Sequence, residues 1–202
     1  MKERVVVLPG YGSRLDLPVY CGLHELAQQN YQEVIEVDVP WDEGNITDWF
    51  DAARKQVPKG KSDVIAYSCG ALLALQLGAD ERTVDVEIDR ATFLSVSCWG
   101  GNPQSMQVAE RDGIFFTPEQ IAAFEKLPVG WMARMFRARS VDLLCGESEL
   151  FEMIRRSQDV QQLMGVEATL TMIPGARHAD MLKKPVLRVV ERQWKESDQK
   201  SR

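Results

Sequence analysis

The run Asp63-Val64-Ile65-Ala66-Tyr67-Ser68-Cys69-Gly70-Ala71-Leu72-Leu73-Ala74-Leu75 leaves few folds open to this chain. A short apolar stretch rich in β-branched residues passes without a loop into a serine, a small residue two places on, and then an apolar segment of helix formers. The pattern predicts strand, sharp turn, helix. A serine on such a turn projects its hydroxyl beyond the end of a parallel sheet. Its neighbours must be small, because strand and helix nearly touch there. Gly70 meets that demand and Ala66 comes close.

The rest of the chain repeats the alternation. Val5-Val6-Val7-Leu8 is apolar on both faces, as a buried parallel strand is, and empties into Pro9-Gly10-Tyr11-Gly12-Ser13. Pro18 opens a helix with Val19, Leu23, Leu26 and Ala27 inward, and Val34 to Val39 forms a second strand that Pro40 ends. Ile46, Trp49, Phe50, Ala53 and Val57 share one helical face before the Asp63 strand, and Gly78 caps the helix that follows it. Further strands are expected at Ala91 to Cys98, Val141 to Gly146 and Ala168 to Ile173, with helices at Glu149 to Met164 and from Pro185 onward. Such alternation implies right-handed βαβ units and a parallel sheet of about six strands between two helical layers.

The alternation pauses between Trp99 and Arg139. Thr117-Pro118-Glu119-Gln120 is a capping box with proline at the first helical position. It opens a helix carrying Ile121, Phe124 and Leu127, and a second amphipathic piece carries Trp131, Met132, Met135 and Phe136. The segment at about 99–139 is expected to be a small helical insertion over the carboxyl ends of the strands, within one domain spanning 1–196. Residues 197–202 are expected to fray.

At 202 residues and 45% hydrophobic composition the chain can bury one core without disulfides or metals. Cys21, Cys69, Cys98 and Cys145 are spread singly, which suits reduced thiols and neither a disulfide framework nor a zinc site. A net charge of -6 offers no general attraction to nucleic acid or anionic lipid. No apolar run reaches the ~18 residues of a membrane span, and no secretory h-region follows Met1. The cytoplasm is the expected compartment.

Ligands of open α/β sheets bind beyond the carboxyl ends of the strands. There the sequence offers the amides of Gly10 and Tyr11, the hydroxyl of Ser68, the carboxylates of Glu147 and Glu149, and His178 after Pro174-Gly175. A serine is a poor nucleophile until a base takes its proton, and the base needs a carboxylate to fix its tautomer. Ser68, Glu149 and His178 supply those groups, with Glu147 close enough to be the carboxylate instead. The other histidine, His24, falls on a helix surface and reads as a solvated side chain.

Four segments together resemble the α/β-hydrolase family. Ala66-Tyr67-Ser68-Cys69-Gly70 is similar to its G-x-S-x-G elbow with alanine for the first glycine. Val7-Leu8-Pro9-Gly10-Tyr11-Gly12 looks like its strand and His-Gly-x loop with Pro9 for the histidine. Leu144-Cys145-Gly146-Glu147-Ser148-Glu149 is similar to its strand-G-x-x-D segment, and Ile173-Pro174-Gly175-Ala176-Arg177-His178 to its P-G-x-x-H segment. The resemblance covers nearly the whole chain and implies the order nucleophile Ser68, acid Glu149, base His178. It also implies an oxyanion hole from the Cys69 and Tyr11 amides.

On that resemblance the expected activity is serine hydrolysis of a carboxylic ester or thioester through an acyl-serine, with no metal or organic cofactor. Tyr11, Trp99, Phe116 and Trp131 are expected to wall the acyl pocket. Arg134, Arg137 and Arg139 form a basic group in an acidic chain, a candidate dock for an acyl carrier. Two other readings use the same scaffold: a catalytically impaired hydrolase fold that binds a partner, and a cofactor-free peroxidase or lyase.

Overall fold

The computed structural model describes residues 2–96 and 116–200. Six strands form one parallel sheet: β1 (Lys2–Leu8), β2 (Tyr31–Glu36), β3 (Gly60–Tyr67), β4 (Val86–Leu94), β5 (Ala138–Gly146) and β6 (Glu167–Ile173). Their order across the sheet is β2-β1-β3-β4-β5-β6. The chain winds outward from β1 in one direction, returns past it, and winds in the other. The crevice therefore opens at the carboxyl end of β1, beside β3.

Seven described α-helices cover the sheet: α1 (Cys21–Asn30), α2 (Ile46–Gln56), α3 (Gly70–Ala79), α4 (Pro118–Glu125), α5 (Val129–Met135), α6 (Phe151–Leu163) and α7 (Lys184–Lys200). Strand periodicity assigns them to two faces. Val5, Val7, Ile65 and Leu144 point to α1 and α7, where Leu23, Leu26, Val186, Val190 and Trp194 close one core. Val6, Leu8, Val64, Phe93 and Leu143 point the other way, into a larger core with Trp49 and Phe50 of α2, all of α3's apolar residues and Val160 of α6.

The β3–β4 ladder carries one irregularity. Ser62 pairs with Ile88 but Val64 pairs with Ala91, so β4 holds one extra residue at this point, and from there Tyr67 lies opposite Leu94.

Several boundaries differ from the sequence expectation. β2 begins at Tyr31, three residues early, because Tyr31 enters the ladder opposite Lys2 and its buried hydroxyl donates to Asp63 at 2.7 Å. Exposed Gln32 and Glu33 had masked it as loop. Pro18 opens only a 3-10 turn, Pro18–Tyr20, in which Val19 is exposed and Tyr20 is the buried residue. The helix α7 continues through Ser197 to Lys200, where fraying was expected. Asp198 is held by the buried Arg90 guanidinium at 2.7 Å and by Lys2 at 3.3 Å. Of the expected insertion, the described part is α4 and α5, and β5 starts at Ala138, so Arg139 is a strand residue. Cys98, Trp99 and Phe115 lie outside the described residues. Among the described residues no helix is long and apolar enough to cross a membrane.

Candidate active site

β3 ends at Tyr67 and α3 begins at Gly70, so Ser68 must reverse the chain within two residues. It does so with a φ of 55°, a left-handed backbone that is costly outside glycine and persists where the surroundings enforce it. The close approach is visible at Gly70, where a Cβ would stand 2.5 Å from the carbonyl oxygens of Leu8 and Pro9. Ala66, by contrast, is an ordinary strand residue between Leu8 and Phe93, where its methyl is packed without exposure.

His178 follows β6 through the Pro174-Gly175 turn, Gly175 having φ 67°, and starts the 3-10 turn His178–Leu182. Its Nε2 lies 3.0 Å from the Ser68 hydroxyl oxygen. The Tyr67 ring lies against the imidazole at 5.0 Å between centroids, and the Tyr67 hydroxyl donates to the His178 carbonyl at 3.3 Å. Burial pushes the Tyr67 phenol well above its ordinary pKa, so it stays a neutral donor.

The carboxylate beside His178 is that of Glu149, whose side chain is fully buried. Its Oε2 is 3.3 Å from Nδ1, and its Oε1 accepts the Gly146 N–H at 2.8 Å. Burial alone would raise the carboxyl, but hydrogen bonds from His178, Ser95 and the Gly146 amide outweigh it and hold the pKa below the ordinary value. Gly146 lacks a Cβ where the Ala176 carbonyl arrives, and Ser148 N–H donates to that carbonyl at 2.9 Å. The loops after β5 and β6 are thereby locked together. Glu147 is exposed, and its N–H donates to Ile173.

Ser95, one residue past β4, was not anticipated. Its hydroxyl is fully buried, bonded to Glu149 Oε2 and 2.6 Å from His178 Nδ1. Only its position at a strand end, in an otherwise apolar run, signals it in the sequence.

At the carboxyl end of β1 the Gly10 N–H donates to the buried Tyr20 hydroxyl at 2.9 Å, and Ser13 N–H closes a turn on the Gly10 carbonyl at 3.1 Å. A Cβ on Gly10 would stand 3.1 Å from that of Ser68, so this loop packs directly on the serine. The Tyr11 N–H has no partner among the described residues. Cys69 sits at the N-cap of α3, where the helix dipole favours negative charge.

The expected pocket residues divide. Tyr11 and Phe116 meet, ring centroids 4.6 Å apart, in a cluster with Trp41 and Trp49. Trp131 is not brought to them: it is exposed on α5, next to Gly130, which faces Leu163 at the far end of α6. The basic group is also placed elsewhere. Arg139 forks onto Asp89 at 3.0 and 3.1 Å near the amino edge of the sheet, opposite to Ser68. Arg137 donates to the carbonyls of Gly78, in the last turn of α3, and of Asp80 just beyond it.

No protein-family model and no curated protein matches the sequence. Solved structures match over nearly the whole chain. α/β hydrolase domain-containing protein 10 from mouse superposes with a TM-score of 0.70 at 14% identity, covering 98% of this chain and 90% of its own. A lipase-esterase related protein from Clostridium acetobutylicum gives 0.72 at 11% identity, covering 96% and 93%. Est1E from Butyrivibrio proteoclasticus gives 0.68 at 15%, covering 96% and 88%. Likeness at such identities is a likeness of architecture. The chain has the α/β-hydrolase fold, built on six parallel strands.

Proposed function

We propose that the protein is a serine hydrolase that cleaves a small carboxylic ester or thioester through an acyl-serine intermediate. The observation that carries this reading is the 3.0 Å contact between the Ser68 hydroxyl and His178 Nε2, with a buried carboxylate behind the ring. In this reading His178 takes the Ser68 proton as Oγ attacks the carbonyl carbon. In the same reading the Cys69 and Tyr11 amides are the donors for the oxyanion of the tetrahedral intermediate, and fixed donors of that kind favour it over the ground-state carbonyl. His178 then returns the proton to the departing alcohol or thiol, leaving acyl-Ser68. Water, deprotonated by the same nitrogen, releases the acid and restores the hydroxyl.

Tyr11 and Phe116 are the proposed walls of the acyl site. Est1E, one of the structural neighbours, has also been solved with ferulic acid bound, and another neighbour is an enol-lactonase from Burkholderia xenovorans LB400. Those names fit ester-type substrates. Cys21, Cys69 and Cys145 are free thiols, which fits a reducing compartment such as the cytoplasm.

The test is intact-mass spectrometry after treatment with a fluorophosphonate, on wild type, Ser68→Ala and His178→Ala. The expected result is a single adduct on wild type and none on either variant. Folded wild type that takes up no probe would overturn the reading in favour of a binding scaffold on the same fold.

A further inference from the structure

We infer that Ser95 is a positioning residue of this site, and that its hydroxyl, inserted between Glu149 and His178, sets the tautomer on which Ser68 depends. The inference rests on the proposed hydrolase reading.

The backbone gives the first argument. Among the described residues, Ser68 and Ser95 are the two non-glycine positions with positive φ, both at 55°. Each follows its strand by one residue, and each N–H is tied to the neighbouring strand, Ser68 to the Leu94 carbonyl at 2.9 Å and Ser95 to the Leu144 carbonyl at 2.8 Å. A left-handed serine is held there only where tertiary contacts require it. Here the two strained residues flank one imidazole, Ser68 on Nε2 and Ser95 on Nδ1.

Counting donors gives the second. Ionised Glu149 can only accept, so the bond between Ser95 Oγ and Glu149 Oε2 uses the Ser95 hydrogen. The Ser95 oxygen can then only accept toward His178, which requires the hydrogen of the neutral ring to sit on Nδ1. Nε2 is left bare, facing the Ser68 hydroxyl. The Nδ1 to Ser95 distance of 2.6 Å is shorter than the 3.3 Å from Nδ1 to Glu149, so the serine is the nearer partner of the ring. A serine with a merely structural role would satisfy its hydroxyl on backbone carbonyls; both partners here are ionisable groups of the site. No proton need leave Ser95. When His178 accepts the Ser68 proton, the positive ring donates more strongly to Ser95 Oγ, whose O–H is polarised by Glu149.

The other titratable groups around the ring are accounted for. Tyr67 lies on its face with Tyr20 edge-on behind, Cys145 lies beyond Glu149, and Asp180 on the same 3-10 turn is engaged by Lys183 and the Arg177 N–H. None of these bonds to Nδ1.

Ser95→Gly removes the hydroxyl and keeps the backbone conformation easy, while Ser95→Thr retains a hydroxyl. The experiment measures kcat and KM on p-nitrophenyl acetate across pH, together with the His178 ring titration by NMR in the substrate-free full chain. His24→Gln assigns the resonance. Expected for folded Ser95→Gly are a kcat lowered by about tenfold or more with KM within twofold, an acid limb moved to lower pH, and an NMR midpoint moved the same way. Ser95→Thr is expected to recover part of the rate. A folded Ser95→Gly with kcat within twofold and a His178 titration that stays put or rises would overturn the inference. The NMR arm needs no turnover, so wild type that fails to hydrolyse or phosphonylate removes the hydrolase reading and still leaves Ser95 decided by the ring.

Discussion

The hydroxyl of Tyr20 accepts the N–H of Gly10 at 2.9 Å, so a residue on the turn before α1 fixes the loop that packs on Ser68. Tyr20→Phe leaves that buried amide unpaired, at a cost of ~1–3 kcal/mol in stability. Thermal melts will show the lowered midpoint. The loop carrying the Tyr11 amide also loses its tether, so kcat should fall by roughly tenfold with KM little changed. Full activity in a destabilised Tyr20→Phe would separate the loop's order from the reaction.

Glu149 and Glu147 stand two residues apart in very different surroundings. Glu149→Gln should lower kcat by about 100-fold or more, because Gln cannot supply the charge that favours the imidazolium. Glu147→Gln, at an exposed position, should stay within about twofold of wild type. Steady-state assays on p-nitrophenyl acetate decide, and an active Glu149→Gln would remove that residue from the catalytic group.

Acid should weaken the fold at two identified carboxylates. Asp89 is drawn down from 3.8 to about 2, chiefly by the Arg139 fork and with help from Lys61, against the opposing effect of burial. A carboxyl with a depressed folded pKa contributes stability that is full above its unfolded value and is lost as pH falls through the folded one. The advantage of wild type over Asp89→Asn in urea melts should therefore be constant above pH ~5 and shrink between about 3.8 and 2. Glu149, also depressed, should begin to lose its contribution below its unfolded value of 4.5. A wild-type advantage over Asp89→Asn that grows in acid would contradict the Asp89 assignment.

Two glycines predict opposite outcomes on changing to alanine. At Gly70 the new methyl meets two backbone oxygens at 2.5 Å, atoms that cannot swing aside, so Gly70→Ala should misfold or lose the elbow. At Gly130, inside α5, the nearest atom is a Leu163 methyl at 3.5 Å, ordinary contact. Gly130→Ala should raise stability by ~0.4–1 kcal/mol with activity unchanged. Circular dichroism melts on the two variants test the pair.

The parts of this molecule that were legible in the sequence are those whose cause is local. The turn at Ser68, the capping box at Thr117 and the Gly146 and Gly175 turns are each written in adjacent residues, and alternation of strand and helix carried the sheet. Ser95, Tyr67 and Tyr20 owe their roles to partners that only the closed sheet supplies, Ser95 to a histidine 83 positions away. Trp131 illustrates the converse: an amphipathic helix shows which residues are apolar but not toward which end of the domain it lies. The continuation of α7 rests on ion pairs from Asp198 to the buried Arg90 and to Lys2, which no periodicity announces.

The extra residue in β4 has an effect well beyond its own neighbourhood. Up to Ser62 the two strands run with an offset that would bring Leu94 abreast of Ser68; past Val64 the offset is larger by one, and Ser95 arrives there instead. Because side chains alternate in direction along a strand, one residue also decides which face it turns to. The irregularity therefore works as a phase setting for the sheet. Were β4 to keep its full length but run without the irregularity, Leu94 would stand abreast of Ser68 and the histidine would meet a leucine.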